Sequence, residues 1–147
     1  MAERLASETG EPVTYLATAE AVDEDMAARI ARHRSDRPAA WTTVEVGSDL
    51  AHGLADLEGT VLVECLGTWL ARLPDFNADI DELVVALRKR DGHTIVVSNE
   101  VGMGVHPYTE LGRQFRDALG SVNRRVADIS DEVLLVVAGR ALRLDRY

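Results

Sequence analysis

A chain of 147 residues with a formal net charge of −9 and one cysteine excludes several classes at once. The negative charge argues against non-specific binding to nucleic acid or to an anionic membrane surface, and Cys65 alone builds no internal disulfide framework, which fits a reducing compartment. The longest apolar run, Val133 to Ala138, is far too short to span a bilayer, and the opening Met-Ala-Glu-Arg-Leu lacks the apolar core of a signal peptide. The sequence reads as a single soluble, cytoplasmic domain large enough for a sizeable core.

In chain order, Ala2 to Glu8 reads as a helix stopped by Gly10, with Leu5 almost its only apolar anchor. Val13 to Ala17 is a short strand ending in Thr18-Ala19-Glu20. Asp23 can cap a helix to about His33, with Met26, Ile30 and His33 on one face, and Pro38 ends any continuation. Trp41 to Val46 alternates like a strand, and Ser48-Asp49 opens a short helix through Leu57. Thr60 to Glu64 has the pattern of a strand buried on both faces, with a carboxylate at its C-terminal end. Gly67 to Leu73 reads as helical and Pro74 to Asn77 as a loop. Ile80 to Arg90 is amphipathic through Ile80, Leu83, Val84 and Leu87. A helix from Tyr108 carries Leu111, Phe115, Leu119, Val122 and Val126 inward. Glu132 to Ala138 is the last strand, and Gly139-Arg140 turns it into Ala141 to Leu144 as a hairpin. Strands alternating with helices predict a three-layer α/β domain whose mainly parallel sheet ends in an antiparallel edge.

The stretch that organises the rest is Ile95-Val96-Val97-Ser98-Asn99-Glu100-Val101-Gly102-Met103-Gly104. A β-branched run stops at polar residues, as when a buried parallel strand delivers side chains to the rim of an α/β sheet. Gly102 and Gly104 are expected to take backbone angles that other residues resist, letting the loop close over a ligand or a neighbouring chain. A generic strand-to-helix loop accounts for the same pattern. Asn99 and Glu100 are better site candidates than His52, His93 or His106, for which surface roles suffice. Read from the residues alone, His33 finishes an amphipathic stripe and the arginines around it form a solvated turn. Glu64 is either a solvated strand end or a carboxylate for Mg²⁺ or a nucleotide, and Glu45 is the exposed face of an edge strand. Cys65 reads as a small buried side chain and not as a metal ligand.

Several of these segments, taken together, resemble one family. They are Thr14-Tyr15-Leu16-Ala17-Thr18-Ala19-Glu20, Asp25-Met26-Ala27-Ala28-Arg29-Ile30 through His33 to Arg37-Pro38, Val63-Glu64-Cys65-Leu66, the Ser98 to Gly104 loop, and Gly112-Arg113-Gln114-Phe115-Arg116-Asp117. In this order and spacing the chain is similar, from Met1 to its end, to the bifunctional adenosylcobinamide kinase/adenosylcobinamide-phosphate guanylyltransferases of cobalamin biosynthesis. The resemblance implies a P-loop-NTPase-like fold, phosphorylation of adenosylcobinamide with GTP or ATP, and transfer of GMP from GTP onto the resulting phosphate. It implies that His33, in the Arg-Ile-x-x-His-x-x-x-Arg-Pro pattern, is the nucleophile that becomes guanylylated. It also implies nucleotide contacts from Ala17, Thr18, Ala19, Arg34, Ser35, Asp36, Arg37, Glu45 and Glu64, with Glu64 the candidate for Mg²⁺. Asn99, Glu100, Gly102 and Gly104 are the candidate site loop. A homotrimer with the site near a subunit boundary follows from the same resemblance, with Trp41, Trp69 and Phe76 expected outside the core.

The chain departs from the family at its start. The family opens with a strand and a Gly-Gly-x-x-Ser-Gly-Lys-Ser phosphate loop, whereas the lone lysine here is Lys89 and no such loop occurs. The resemblance places Met1 inside the family's first helix. In-frame codons upstream are therefore expected to encode the strand and loop, and the 147-residue form is expected to lack kinase activity and to bind GTP weakly. Without that strand the sheet is expected to show a gap and exposed edges. The competing expectations are an inactive family member serving as a binding or assembly subunit, and an unrelated nucleotide transferase on the same scaffold.

Overall fold

A computed structural model describes residues 1–21, 23–35 and 37–146. The chain order is α1 (Ala2–Glu8), β1 (Val13–Ala17), α2 (Glu24–Ser35), β2 (Thr42–Glu45), α3 (Leu50–Ala55), β3 (Thr60–Glu64) and α4 (Leu66–Ala71). A 3-10 turn (Pro74–Phe76), α5 (Ile80–Lys89), β4 (Thr94–Val97), α6 (Glu110–Ala127), β5 (Leu134–Val137) and β6 (Arg140–Arg143) complete it. Four helix starts are fixed by side-chain caps. Asp23, Asp49 and Asp79 accept the backbone N–H groups of Met26, His52 and Glu82, and the Thr109 hydroxyl accepts that of Gly112. Thr109 also explains why α6 begins at Glu110 and not at Tyr108. Arg113 donates to the carbonyls of Pro107 and Tyr108 and holds that segment outside the helix.

The sheet has the order β2-β1-β3-β4 with every pair parallel. Side chains alternate between its faces. One face carries Leu16, Val61 and Val63, packed under Leu50 and Leu54 of α3, Leu66, Trp69 and Leu70 of α4, Leu83 of α5, and Leu119, Val122 and Val126 of α6. The other carries Val13, Tyr15 and Leu62, covered by Ala6 of α1 and flanked by Trp41, Ile95 and Val97. This gives three layers of unequal weight, because α2 buries none of its residues.

Several expectations are corrected by packing. The hairpin of β5 and β6 is a two-stranded sheet of its own and not the edge of the main one; its turn is Ala138-Gly139, both at positive φ. β4 is parallel as expected but only half-buried, because it is the outer strand of the sheet. The anchor of α1 is the fully buried Ala6 and not Leu5, since a short helix lying close on a sheet needs a small contact residue. Leu111 is exposed, and the inner face of α6 starts at Phe115. Trp69 is buried and donates its indole N–H to the Ser48 carbonyl at 2.7 Å, and Phe76 meets Phe115 edge-on at 5.1 Å. Those two aromatics therefore belong to the core; the large apolar groups left outside it include Met103, Val105 and Tyr108.

The glycines divide in a way the sequence did not suggest. Gly102 and Gly104 have ordinary φ angles, and a Cβ on Gly104 would meet nothing within 4 Å. Gly92 sits at φ +96°, where a Cβ would lie 2.5 Å from the Gly59 carbonyl oxygen. Gly104→Ala should therefore shift stability by less than about 1 kcal/mol, in the favourable direction, by restricting the unfolded chain. Gly92→Ala should cost about 1–3 kcal/mol through backbone strain at the turn into β4. Urea midpoints of the two variants check the contrast, and equal midpoints would refute it.

Candidate functional site

The site follows from strand register. Ala17 pairs with Glu45 on one side and Glu64 on the other, and Glu64 pairs with Val97, so four residues form one rung at the C-terminal end of the sheet. Two residues earlier, Thr43, Tyr15, Leu62 and Ile95 form the rung beneath it on the same face. The two carboxylates are thus held on one face, about 10 Å apart at Cα, twice the spacing of neighbouring strands.

Arg37 lies over the lower rung. Its Cζ stands 3.3 Å from the Tyr15 ring centroid, and it donates to the Thr43 hydroxyl at 3.2 Å. Its Nε is buried without a hydrogen-bond partner among the described residues. An orphaned cationic donor at the rim of a site is a place for an anion. Arg34, Arg37, Pro38, Ala39, Trp41 and Thr43 line a cavity there of about 250 Å³.

Electrostatics join the two rungs. Burial chiefly holds the Glu64 carboxyl above its ordinary range, helped by the Glu3 carboxylate; the charges on His33, Arg37 and the N-terminal amine oppose it. The Tyr15 phenol is pushed up to about 12, first by burial and then by Glu64, with Arg37 opposing. His33 and Arg37 therefore both act on Glu64 at the strand ends. His33 itself is exposed, on the last turn of α2.

The remaining candidates separate. Thr18 is fully buried, and its hydroxyl contacts the Glu64 and Cys65 carbonyls at 2.9 and 2.8 Å and the Thr68 hydroxyl at 2.6 Å. Its N–H donates to the Glu64 carbonyl and its own carbonyl accepts from Arg72. The Ala17 carbonyl accepts from the Val46 N–H, so in this segment Ala19 keeps the freer backbone. Ser35 spends its hydroxyl on the Arg32 carbonyl at 2.8 Å. Asp36 lies outside the described residues. Glu45 is exposed at the end of β2.

Asn99 leans over α4. Its carbonyl accepts from Asn123, its Oδ1 is 3.5 Å from the Cys65 sulfur, and a Cβ on Gly67 would lie 2.4 Å from that Oδ1. Glu100 turns back to accept the Gly102 N–H at 2.5 Å. No hydrogen bond or ion pair joins Glu100, Gly102 or Gly104 to His33, Arg37 or Glu64 among the described residues; the loop approaches the carboxylate rung through Asn99 beside Cys65. Residue-by-residue reading missed Tyr15 as the platform for Arg37, Glu3 as a like charge acting on Glu64, Gly67 as the space for Asn99, and Arg72. Each acts across strands or helices and not along the chain.

A structural metal cage is not built here: among the described residues, no group of three His, Cys, Asp or Glu side chains could hold a metal ion. Mg²⁺ that arrives with a nucleotide needs only one or two carboxylates beside the phosphates. Glu64, partly buried at the strand ends, fits that lesser requirement.

The raised Glu64 carboxyl has a consequence for stability. Such a group binds its proton more readily folded than unfolded, so stability falls as pH rises from the ordinary carboxyl range through the folded value. Glu64→Gln should therefore melt at or above the wild-type temperature at pH 7, with the advantage shrinking as pH falls toward 4. Melting curves across pH test this, and a lower neutral-pH melting temperature for the variant would contradict it.

Comparison with known proteins bears on the same residues. Residues 1–144 match the family model described as cobinamide kinase / cobinamide phosphate guanyltransferase. The chain is 39% identical over 153 residues to the bifunctional adenosylcobalamin biosynthesis protein CobP of Pseudomonas aeruginosa, covering 98% of this chain and 88% of that one. It is 36% identical over 154 residues to the bifunctional adenosylcobalamin biosynthesis protein CobU of Escherichia coli, covering 90% of this chain and 85% of the relative. The protein of the same name from Salmonella typhimurium matches at the same identity and coverage. On these matches the chain belongs to the cobinamide kinase / cobinamide phosphate guanyltransferase family.

Proposed function

We propose that this protein phosphorylates adenosylcobinamide, using GTP or ATP, and transfers GMP from GTP to adenosylcobinamide phosphate in cytoplasmic cobalamin biosynthesis. The observation that carries the reading is Arg37, stacked on Tyr15 one rung below Glu64 with a buried Nε unpartnered among the described residues, at the C-terminal ends of parallel strands, where ligands of open α/β sheets bind. Family membership supplies the substrates.

In the transfer, a neutral His33 ring nitrogen attacks the α-phosphorus of GTP. The P–N bond forms as the bond to the β-phosphate oxygen breaks, and pyrophosphate leaves with the electron pair. A phosphate oxygen of the corrinoid then attacks the same phosphorus, and the pair of the breaking P–N bond returns to the imidazole. His33 suits this role because it is exposed on a helix that buries none of its residues, so the ring can be reached by two successive partners. Arg37, held flat on Tyr15 with its Nε unpartnered, is placed to bond a phosphate oxygen as charge develops there. Arg34 lines the same cavity. Mg²⁺ bound with the nucleotide would neutralise phosphate charge, and Glu64 would hold it. Glu45 flanks Ala17 on the rung, where its carboxylate can accept from the N1–H and N2 amine of guanine.

The reading includes a homotrimer, with the site near a subunit boundary. It is supported by the exposed Met103, Val105, Tyr108 and Leu111 on the stretch that follows β4. Light scattering at micromolar concentration should give an oligomer, and a monomer would remove this part.

With GTP labelled on the α-phosphate, the protein as the cell makes it should acquire an acid-labile, base-stable label, as expected of a phosphorus–nitrogen bond. His33→Ala should abolish it, and a label that persists in that variant refutes the assignment. Glu64→Gln should lower turnover tens-fold or more at saturating Mg²⁺, on the order of 2 kcal/mol of transition-state stabilisation.

A further inference from the structure

We propose that Arg72 is a positioning residue for the nucleotide site, a role that rests on the reading of Ala17, Thr18 and Ala19 as nucleotide contacts. Arg72 follows α4, whose buried Trp69 and Leu70 fix that helix in the core. One of its terminal nitrogens donates to the Thr18 carbonyl at 3.1 Å and to the Val46 carbonyl at 3.0 Å; the other is 3.2 Å from the Glu20 carboxylate. Thr18 directly follows β1 and Val46 directly follows β2. A single guanidinium therefore ties the ends of two neighbouring strands to each other and to the start of the connection into α2.

The connection needs such a tie. The helix it leads to buries none of its residues, so packing does not fix where the chain leaves the sheet. Thr18 is locked to β3 by its hydroxyl and its N–H, but Ala19 and Glu20 have no comparable bond to the core among the described residues. Arg72 reaches the Thr18 carbonyl and the Glu20 carboxylate from the end of α4, a helix that packs on the sheet face opposite Tyr15 and Leu62, so it acts through the backbone. The Glu20 carboxylate is 63% exposed, and an ion pair that open to water adds little. The two carbonyl bonds, from a planar group with several donors, carry the restraint. A lysine ammonium is a point charge that does not reproduce that fork.

The test compares Arg72→Met, Arg72→Lys and Glu20→Gln. In Arg72→Met, amide hydrogen exchange should quicken about tenfold or more at Thr18 and Val46, whose N–H groups donate to the Glu64 and Ala17 carbonyls, while the amides of Val61 to Val63 stay as protected as in wild type. The GTP concentration for half-maximal labelling of His33 should rise about tenfold, with the maximal rate changed less than about threefold. Arg72→Lys should resemble Arg72→Met, and Glu20→Gln should resemble wild type. Unchanged exchange in Arg72→Met overturns the proposal. So does a loss of protection spread evenly through β3, which would make Arg72 a general stabiliser. A wild-type protein that takes up no label overturns the proposed function instead, and the exchange measurements then decide the role of Arg72 by themselves.

Discussion

Thr18 has no exposed surface, and its one hydroxyl proton must serve a junction containing two carbonyls and a second hydroxyl. It donates to Glu64 or Cys65 while Thr68 can donate to it, and Thr68 also contacts both the carbonyl and the N–H of Cys65. Breaking such a buried network leaves carbonyls without partners, at about 1–3 kcal/mol each, whereas an intact hydrogen bond nets only about 1 kcal/mol. The asymmetry makes the junction specific. It fixes where β1 ends relative to β3, and that register together with the pairing of β1 and β2 puts Glu45, Ala17 and Glu64 on one rung. A slip of one residue would turn both neighbours of Ala17 to the other face.

The unequal covering of the sheet explains why the site lies where it does. Seven fully buried or nearly buried leucines lie on the side of α3 to α6, and each contributes about 1.5–3 kcal/mol on burial. The buried apolar cluster on the other face is smaller, Ala6, Val13, Tyr15 and Leu62 among the described residues. Stability is thus concentrated on one side, which leaves the other free to carry groups that oppose it. Glu64 is such a group, a carboxyl whose charged form is disfavoured by its surroundings. A half-buried carboxylate beside a cation and an imidazole is a poor way to hold a fold together and a reasonable way to hold a charged ligand.

Local signals were legible because they are local. The apolar runs at β3 and β4, the stripe of α5 and the helix starts at Asp23 and Asp49 all depend on residues within a turn or two. The family resemblance named Arg37 and Glu64 without showing that Arg37 lies on Tyr15, one rung below Glu64. That placement depends on strand register, which periodicity does not encode. Tyr15 looked like any strand residue until Arg37 was seen upon it. The same limit explains the errors. Leu111 continues the helical spacing of α6, but the first turn of that helix has nothing to pack against. Two glycines close together suggested unusual backbone angles at Gly102 and Gly104, whereas the positions that require glycine include Gly59 and Gly92, each beside the backbone of a neighbouring segment.

The acidic character of the chain looks unfavourable for a triphosphate, and it would be if net charge decided binding. At physiological ionic strength, exposed charges farther apart than about 8 Å are largely screened, so the overall −9 acts mainly on the rate of approach. At contact, the groups within a few ångströms decide. There the balance is local: Arg34 and Arg37 line one cavity, and His33 and Arg37 act on Glu64. The two arginines nearest the strand ends also differ in kind. Arg72 has its charge spent on two carbonyls and a carboxylate, so it is fixed and has little left to offer a ligand. Arg37 is fixed by an aromatic face and one hydroxyl, neither of which neutralises it, and it retains a buried N–H without a partner. An arginine held by neutral groups keeps its charge for what binds next, and in the proposed function that is the role of Arg37.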